Sequence, residues 1–189
     1  MPDDTHPRIP PNQQAINHLP ALHTGSIPRF DPDTWDLRIE GEVRTARLLR
    51  YPEIRALPSV IDTSDFHCVE TWSVLDCAWE GVRFSDLCDL VSPTERAHAV
   101  TFGCDGGYTT SLTLEEALEP DVLLAWGLNG KELDPAHGFP LRLVVPKKYA
   151  YKAAKWVRWI TFTETKELGY WETRGYHDNA DPWREERYS

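Results

Sequence analysis

One cysteine lies in an unusually polar stretch, DFHCVETWS at residues 65–73. A thiolate at Cys68 could act as a nucleophile or bind a soft metal ion. The structural alternative is packing, because free cysteine is among the most buried residue types and behaves as a small hydrophobe. The flanking residues Asp65, His67, Glu70 and Ser73 make the stretch too polar for an ordinary core strand. The residues alone therefore leave both interpretations of Cys68 open.

A cysteine nucleophile needs a base within hydrogen-bond reach, and His67 is its neighbour in sequence. Adjacent residues on a strand point to opposite faces of the sheet. This geometry disfavours direct pairing of the imidazole with the Cys68 thiol, although it does not affect a metal-binding role.

A second chemically suggestive region spans residues 135–163, which contain no Asp or Glu although the protein is acidic. Cations interleaved with flat aromatic surface suit a phosphorylated heterocycle. The structural alternative is a strand edge protected by lysines. Nucleic acid would fit this stretch but not the overall charge. The cations are Arg142, Lys147, Lys148, Lys152, Lys155 and Arg158, and the aromatic residues among them include Tyr149, Tyr151 and Trp156.

Two glycine-containing segments are weaker candidates for ligand loops. The sequence DGGYTTSL at residues 105–112 allows positive φ at Gly106 and Gly107, and three hydroxyl side chains follow. By itself this pattern is typical of a tight turn. The His23-Thr24-Gly25 sequence offers one histidine in a loop, for which solvation or capping is the ordinary interpretation.

The composition excludes several classes of protein. The 189 residues include 20 basic and 30 acidic residues, for a net charge of −10, which argues against a surface devoted to nucleic acid or anionic membrane. No apolar run reaches the roughly 18 residues of a membrane span, and the N-terminus lacks the pattern of a secretory signal, so we expect a cytoplasmic protein. The four cysteines are too widely spaced for a zinc knuckle, and a reducing compartment disfavours disulfides.

The sequence pattern around these residues predicts an α+β protein that consists mostly of strands, with short helices. Residues 1–19 are predicted as an extended, proline-rich arm without regular structure, and residues 20–189 as one domain. A Thr-x-x-Glu capping box indicates a helix that begins at Thr113 and uses Glu116. Predicted strands lie at residues 35–43, 45–49, 59–62, 98–104, 141–145 and 157–162, predicted helices at 51–57 and 85–91, a turn at 80–81 and a hairpin at 121–133.

Four motifs in this order resemble the molybdopterin-binding catalytic domain of the sulfite oxidase family. They are DFHCVETWS, FGCDGGYTTSLTLEEAL, HGFPLRLVVPKKYAYKAAKW and GYWETRGYHDNADPW. The resemblance covers about residues 20–185 and is strongest to short bacterial sulfite-oxidase-like oxidoreductases, which are related to the catalytic subunit of methionine-sulfoxide reductase. It implies a sulfite-oxidase-type molybdopterin-binding fold, with mixed β-sheets and short helices.

The resemblance also implies roles for individual residues. Cys68 matches the family's molybdenum ligand, and Asp105 and Tyr108 are expected with it on the catalytic, substrate side. The residues expected to bind the molybdenum–molybdopterin cofactor are His23, Thr24, Cys68, Cys104, His137, Arg142, Lys152, Ala153, Ala154 and Lys155.

The implied function is a molybdenum-cofactor-dependent oxidoreductase that couples oxygen-atom transfer to two-electron redox on a small substrate. A separate electron-transfer partner, such as a cytochrome, flavoprotein or ferredoxin, is expected, because no second redox centre is recognisable in the sequence. The set of arginines that holds sulfite in true sulfite oxidases has no match by motif. Two alternatives remain at this point: a molybdopterin-binding or carrier protein without turnover, and a cysteine-nucleophile enzyme that uses Cys68.

Overall fold

The computed structural model describes residues 7–189. Within this range two β-sheets and short helices form the expected α+β architecture. The strands are β1 (Gln14–Ile16), β2 (Asp36–Gly41), β3 (Arg47–Arg50), β4 (Val60–His67), β5 (Trp72–Arg83), β6 (Ala99–Cys104), β7 (Thr109–Thr113), β8 (Leu123–Leu128), β9 (Lys131–Glu132), β10 (Arg142–Val144) and β11 (Val157–Thr163). The α-helices are α1 (Tyr51–Arg55), α2 (Phe84–Val91) and α3 (Leu114–Ala117), and 3-10 turns span Asp105–Gly107, Pro135–His137, Ala150–Lys152 and Glu172–Arg174.

Both sheets are mixed. In the six-stranded sheet β5 pairs in parallel with β1 and in antiparallel fashion with β4 and β8, while β8 also pairs with β9 and β10. The five-stranded sheet has the order β3-β2-β11-β6-β7, with a parallel pair between β2 and β11. The turn after β4 in the first sheet and the loop between β6 and β7 in the second both contribute side chains to one cavity.

The main hydrophobic core follows the period of two that strands impose. In β2, Leu37 and Ile39 are fully buried whereas Arg38 and Glu40 are exposed. Helix α2 buries Phe84 against Phe102 of β6, with the ring centroids 5.4 Å apart. This core contains buried residues of both sheets, such as Leu124 of β8 and Ile160 of β11.

Several local predictions are confirmed. Strands lie at 99–104, 142–144 and 157–163, and α3 begins with the predicted capping box, in which Glu116 N donates to Thr113 Oγ1 and Thr113 N donates to Glu116 Oε2. The 121–133 hairpin is present as β8 and β9. No helix among the described residues is long and apolar enough to cross a bilayer.

Two local predictions were wrong, and one strand was not predicted. The predicted arm contains a strand, β1, because its backbone completes hydrogen bonds along the edge of β5. Glu80 and Gly81 form no turn but a β-bulge inside β5, where a Cβ on Gly81 would lie 2.2 Å from the Leu124 carbonyl oxygen. The strand that was not predicted is β7, which follows the predicted turn at the two glycines and forms because Ser111 and Leu112 pair with β6. The division at residue 19 stays a prediction, and residues 1–6 of the arm lie outside the described range.

Candidate cofactor and active site

A cavity of about 310 Å³, hereafter the Cys68 cavity, brings together residues that are far apart in sequence. Its volume lies at the lower end of the roughly 300–1,000 Å³ that ligand pockets occupy. All but two of the residues expected to be catalytic or to bind the cofactor line this cavity. Those that line it are His23, Thr24, Cys68, Asp105, Tyr108, His137, Arg142, Ala153, Ala154 and Lys155.

Cys68 lies in a tight turn directly after β4, as the sequence predicted. Its backbone N–H donates to the Trp72 carbonyl at 2.9 Å, and its own carbonyl accepts hydrogen bonds from Thr71 N at 3.1 Å and Gln13 Nε2 at 3.0 Å. The side chain is 7% exposed, and this burial raises the pKa of the thiol to about 11, against an opposing effect of the Glu70 backbone N–H. The turn thus holds one sulfur rigidly at the cavity wall, and a bound cation would be needed to favour its thiolate.

The neighbouring His67 faces away from the cavity. Its Nδ1 lies 2.8 Å from Ser73 Oγ, and its ring packs edge-on against Trp183 at 5.2 Å. Burial lowers its pKa to about 4. The opposite orientation of adjacent strand residues is therefore confirmed, and the geometry gives no support to a Cys68–His67 nucleophile pair.

Arg142 is a buried cation without a carboxylate partner among residues 7–189. Its Nη1 donates to the His137 carbonyl at 2.9 Å and its Nη2 to the Ala153 carbonyl at 3.0 Å, while its Nε has no hydrogen-bond partner in the described part of the chain. The guanidinium also lies 5.1 Å from the ring centroid of Phe66. Burial lowers its pKa to about 10. Because buried charges are ordinarily paired, this group is suited to an anion that enters the cavity.

Lys155 places a second cation on the same wall. Its Nζ donates to the carbonyls of Leu22 at 2.6 Å and Ala136 at 2.8 Å, and burial lowers its pKa to about 8. Gly138 lets the two cations pack together: its φ is +117°, and a Cβ there would lie 2.8 Å from Arg142 Cβ and 3.2 Å from Lys155 Cγ. The glycine in the HGFPLR motif is thus required by backbone conformation and by space.

The N-terminal segment closes the cavity from the other side. His137 Nε2 donates to the Leu19 carbonyl at 2.9 Å, and the ring of His23 packs edge-on against Trp156 with centroids 5.7 Å apart. His23 and Thr24 both line the cavity. The segment is therefore a wall of the site, as the resemblance implies.

The loop between β6 and β7 supplies a further wall. Gly106 and Gly107 have φ of +85° and +82°, so the segment is a tight turn that also lines the cavity. The Asp105 carboxylate is held by Arg158, with Nη1 and Oδ1 3.1 Å apart. The Tyr108 hydroxyl donates to the Tyr151 carbonyl, and burial raises its pKa well above its ordinary value. Both groups have protein partners in this arrangement, which limits what either offers to a substrate.

Two predicted site residues do not line the cavity. The Lys152 ammonium is fully buried in an ion pair with Glu172 and also donates to the Ser111 carbonyl at 3.2 Å. Cys104, in β6, is fully buried in the main core, where burial raises its pKa. The structure therefore gives Lys152 a carboxylate where the sequence predicted a phosphate, and gives Cys104 a packing environment.

Sequence reasoning missed an aromatic and acidic part of the wall. Trp171 and Tyr176 come from the GYWETRGY motif, whose aromatic residues were the available signal, and Glu70 follows Cys68 by two positions. The lining residues that were not predicted include Phe66, Glu70, Trp72, Trp171 and Tyr176.

The donor set fits a phosphate-bearing heterocyclic cofactor with a soft metal. Arg142 and Lys155 offer charge-assisted hydrogen bonds to a phosphate, and the orphaned Nε of Arg142 is a donor awaiting an acceptor. Aromatic side chains offer flat surface, and Cys68 offers a sulfur ligand. The sites expected for the phosphate and for the metal thus occur on one continuous surface.

Comparisons with known proteins agree with this arrangement. Residues 24–171 match the oxidoreductase molybdopterin binding domain family. The chain is 41% identical over 187 residues to the uncharacterized oxidoreductase YuiH of Bacillus subtilis, which spans 98% of this chain and 94% of that protein. It is 31% identical over 175 residues to the protein-methionine-sulfoxide reductase catalytic subunit MsrP of Campylobacter jejuni, spanning 81% of this chain and 59% of that protein.

Among solved structures, the sulfane dehydrogenase SoxCD from Paracoccus pantotrophus has a TM-score of 0.71 at 22% identity, covering 76% of this chain and 42% of that one. At this level of identity the similarity concerns the fold alone. It confirms the predicted class, with mixed sheets and few short helices.

Proposed function

The chain belongs to the oxidoreductase molybdopterin binding domain family, of the sulfite oxidase type, and we propose that it catalyses oxygen-atom transfer with Cys68 as the protein ligand to molybdenum. The family makes the protein a molybdopterin-dependent oxidoreductase. The ligand and the reaction type are the further steps of the proposal. The observation that carries them is that Cys68 lines the same cavity as two cations, Arg142 and Lys155.

The chain's own residues would bind and orient the cofactor. Arg142 and Lys155 would hold its phosphate, with the backbone at Ala153 and Ala154 alongside, and the aromatic walls would exclude water from its flat ring. The turn at Cys68 would present the sulfur with little freedom, because three hydrogen bonds fix its backbone. The molybdenum–molybdopterin cofactor supplies the two-electron redox change and the oxygen-transfer chemistry when bound.

Electrons would be exchanged with a separate protein such as a cytochrome, flavoprotein or ferredoxin. The identity of that partner and the cytoplasmic location both stay predictions from the sequence. The relative named as a catalytic subunit is consistent with a division between catalysis and electron supply.

Metal and pterin analysis of matched variants tests the proposal. We expect about one molybdenum and one pterin per wild-type chain purified from cells that make the cofactor. Cys68→Ala should lose the metal or change its coordination, whereas Cys88→Ala, which removes another buried thiol from α2, should not. Mass spectrometry of molybdenum and fluorescence of oxidised pterin are the measurements.

Two results would contradict the assignment. Wild-type protein without molybdenum and pterin would remove the cofactor role of the cavity. A Cys68→Ala protein with unchanged molybdenum content, spectrum and oxidoreductase activity would remove the ligand role of Cys68.

A further inference from the structure

The part of the Cys68 cavity next to the thiol is aromatic. Trp171 and Tyr176 pack with ring centroids 4.9 Å apart, and Tyr151 meets Tyr176 at 5.2 Å. The Tyr151 hydroxyl donates a hydrogen bond to the His177 carbonyl, with the two oxygens 2.6 Å apart. With Trp72, these rings line the cavity and pack on the buried cluster that contains Cys68. Such a surface offers ring faces and few free donors to a ligand.

Glu70 is the charged residue of this part. This residue is exposed and lines the cavity, and its carboxylate forms no ion pair among the described residues. It acts electrostatically on both the Cys68 thiol and Tyr176, raising the pKa of each, although burial is the larger cause for both. A negative charge is therefore present where a small molecule would approach the sulfur.

The cations of the cavity are placed elsewhere. Arg142 and Lys155 pack against Gly138, and under the proposed function they bind the cofactor phosphate. Asp105, a second acid on the wall, is already neutralised by Arg158. Once the phosphate has its partners, Glu70 remains as a lining charge without an ion pair among the described residues. Arg187 opposes the effect of Glu70 on the Cys68 thiol but does not line the cavity.

From these placements we infer that the cavity selects substrates that carry a positive charge near the reacting atom, with Glu70 as the residue that sets this specificity. A quaternary ammonium or sulfonium group is the matching chemistry, because aromatic faces and a carboxylate both attract an organic cation whose surface is apolar. Small inorganic oxyanions such as sulfite would be repelled by Glu70, and the lining lysine and arginine of the described residues would already be committed to the phosphate. This inference rests on the proposed function, since it assumes that the cofactor occupies Arg142 and Lys155.

Binding to the purified holoenzyme tests the inference without turnover. Trp72 and Trp171 line the cavity, so intrinsic fluorescence should report its occupation. We would titrate tetramethylammonium, sulfite and neutral dimethyl sulfoxide at constant ionic strength. We expect saturable binding of tetramethylammonium, weaker binding of dimethyl sulfoxide and no binding of sulfite.

Charge variants assign the effect to one residue. Glu70→Gln should weaken tetramethylammonium binding about fivefold, from the loss of one partly screened charge pair, and Glu70→Lys should abolish it and allow sulfite to bind. Glu115→Gln, which removes an exposed carboxylate in α3 outside the cavity lining, is the control for net charge and should bind like the wild type.

The outcomes separate this inference from the proposed function. Sulfite binding to the wild type as tightly as tetramethylammonium, or a Glu70→Gln variant with unchanged affinity, would overturn the inference even if molybdenum and pterin are present. A loss of molybdenum on Glu70→Gln substitution would also overturn it, by making Glu70 part of the cofactor site. Absence of the cofactor from the wild type would instead refute the proposed function.

Discussion

The buried pair of Lys152 and Glu172 offers the sharpest test of the structural reasoning. The two side chains are 0% and 1% exposed, and the ammonium also donates to the Ser111 carbonyl in β7. The pair ties the 3-10 turn at Ala150–Lys152 to the one at Glu172–Arg174, directly after the cavity residue Trp171. Lys152→Met would leave the Glu172 carboxylate buried without its cation.

Breaking a buried pair on one side costs about 3–5 kcal/mol, because the remaining charge is uncompensated. Native domains are stable by about 5–15 kcal/mol, so the loss would be a large fraction of the total. For a chain of this size each kcal/mol lowers the melting temperature by about 2–4 °C, which predicts a fall of roughly 6–20 °C. Replacing both partners, as in Lys152→Met/Glu172→Leu, should recover much of this loss, since no fully buried charge is left behind. The second partner of Lys152, Asp178, is 41% exposed and is also paired with Lys166.

Urea unfolding of the two single variants and the double variant measures the coupling free energy in a double-mutant cycle. The exposed pair of Lys147 and Glu119, 50% and 42% exposed with Nζ and Oε2 2.8 Å apart, is the matched control and should be worth less than about 1 kcal/mol. A cost below about 1 kcal/mol for Lys152→Met, or a double variant that loses the sum of the single costs, would refute the account of Lys152 as a structural partner of Glu172. A Lys152→Met protein of normal stability that lost its cofactor would instead restore the phosphate role predicted from the sequence.

Three further predictions concern the cation-binding wall. Gly138→Ala should lower both the free energy of unfolding and the molybdenum content, because its φ is +117° and the new Cβ would lie 2.8 Å from Arg142 Cβ. The control Gly130→Ala, at φ +74° with nothing within 4 Å, should keep the cofactor. An equal loss of molybdenum in both variants would contradict the steric argument. Arg142→Lys should reduce pterin content at least tenfold by fluorescence, since a lysine lacks the planar array of donors, and normal content would exclude the guanidinium as an anchor. In cofactor-free protein, sulfate should bind less tightly as pH rises through about 8, because the pKa of Lys155 lies at about 8 and the anion needs the charged ammonium. Isothermal titration calorimetry should show this fall in sulfate affinity with pH, and Lys155→Gln should remove it. An unchanged pH dependence in the variant would assign the titration to another group.

Much of the site could be predicted from local pattern. The capping box at Thr113 and Glu116 uses residues three apart, and the Cys68 turn follows a strand whose end is marked by polar residues. Long-range pairing was less accessible. Strand β5 contains Glu80 and Gly81, whose types favour a turn, yet it pairs with β1, β4 and β8. Its length is therefore set by these partner strands and not by its own strand propensity.

The sequence by itself determined the class of fold and the family, because ordered motifs and side-chain chemistry are properties of the chain. Tertiary structure alone decided which of two lysines three residues apart faces the cavity. Lys152 meets Glu172 in the interior, whereas Lys155 meets two carbonyl oxygens and the Trp156 ring at the wall. It also placed Glu70 beside an aromatic surface that two distant segments build together. The physical reason is that the environment of a charged group depends on partners that folding brings near it. These partners are far away in sequence, so the local sequence does not predict them.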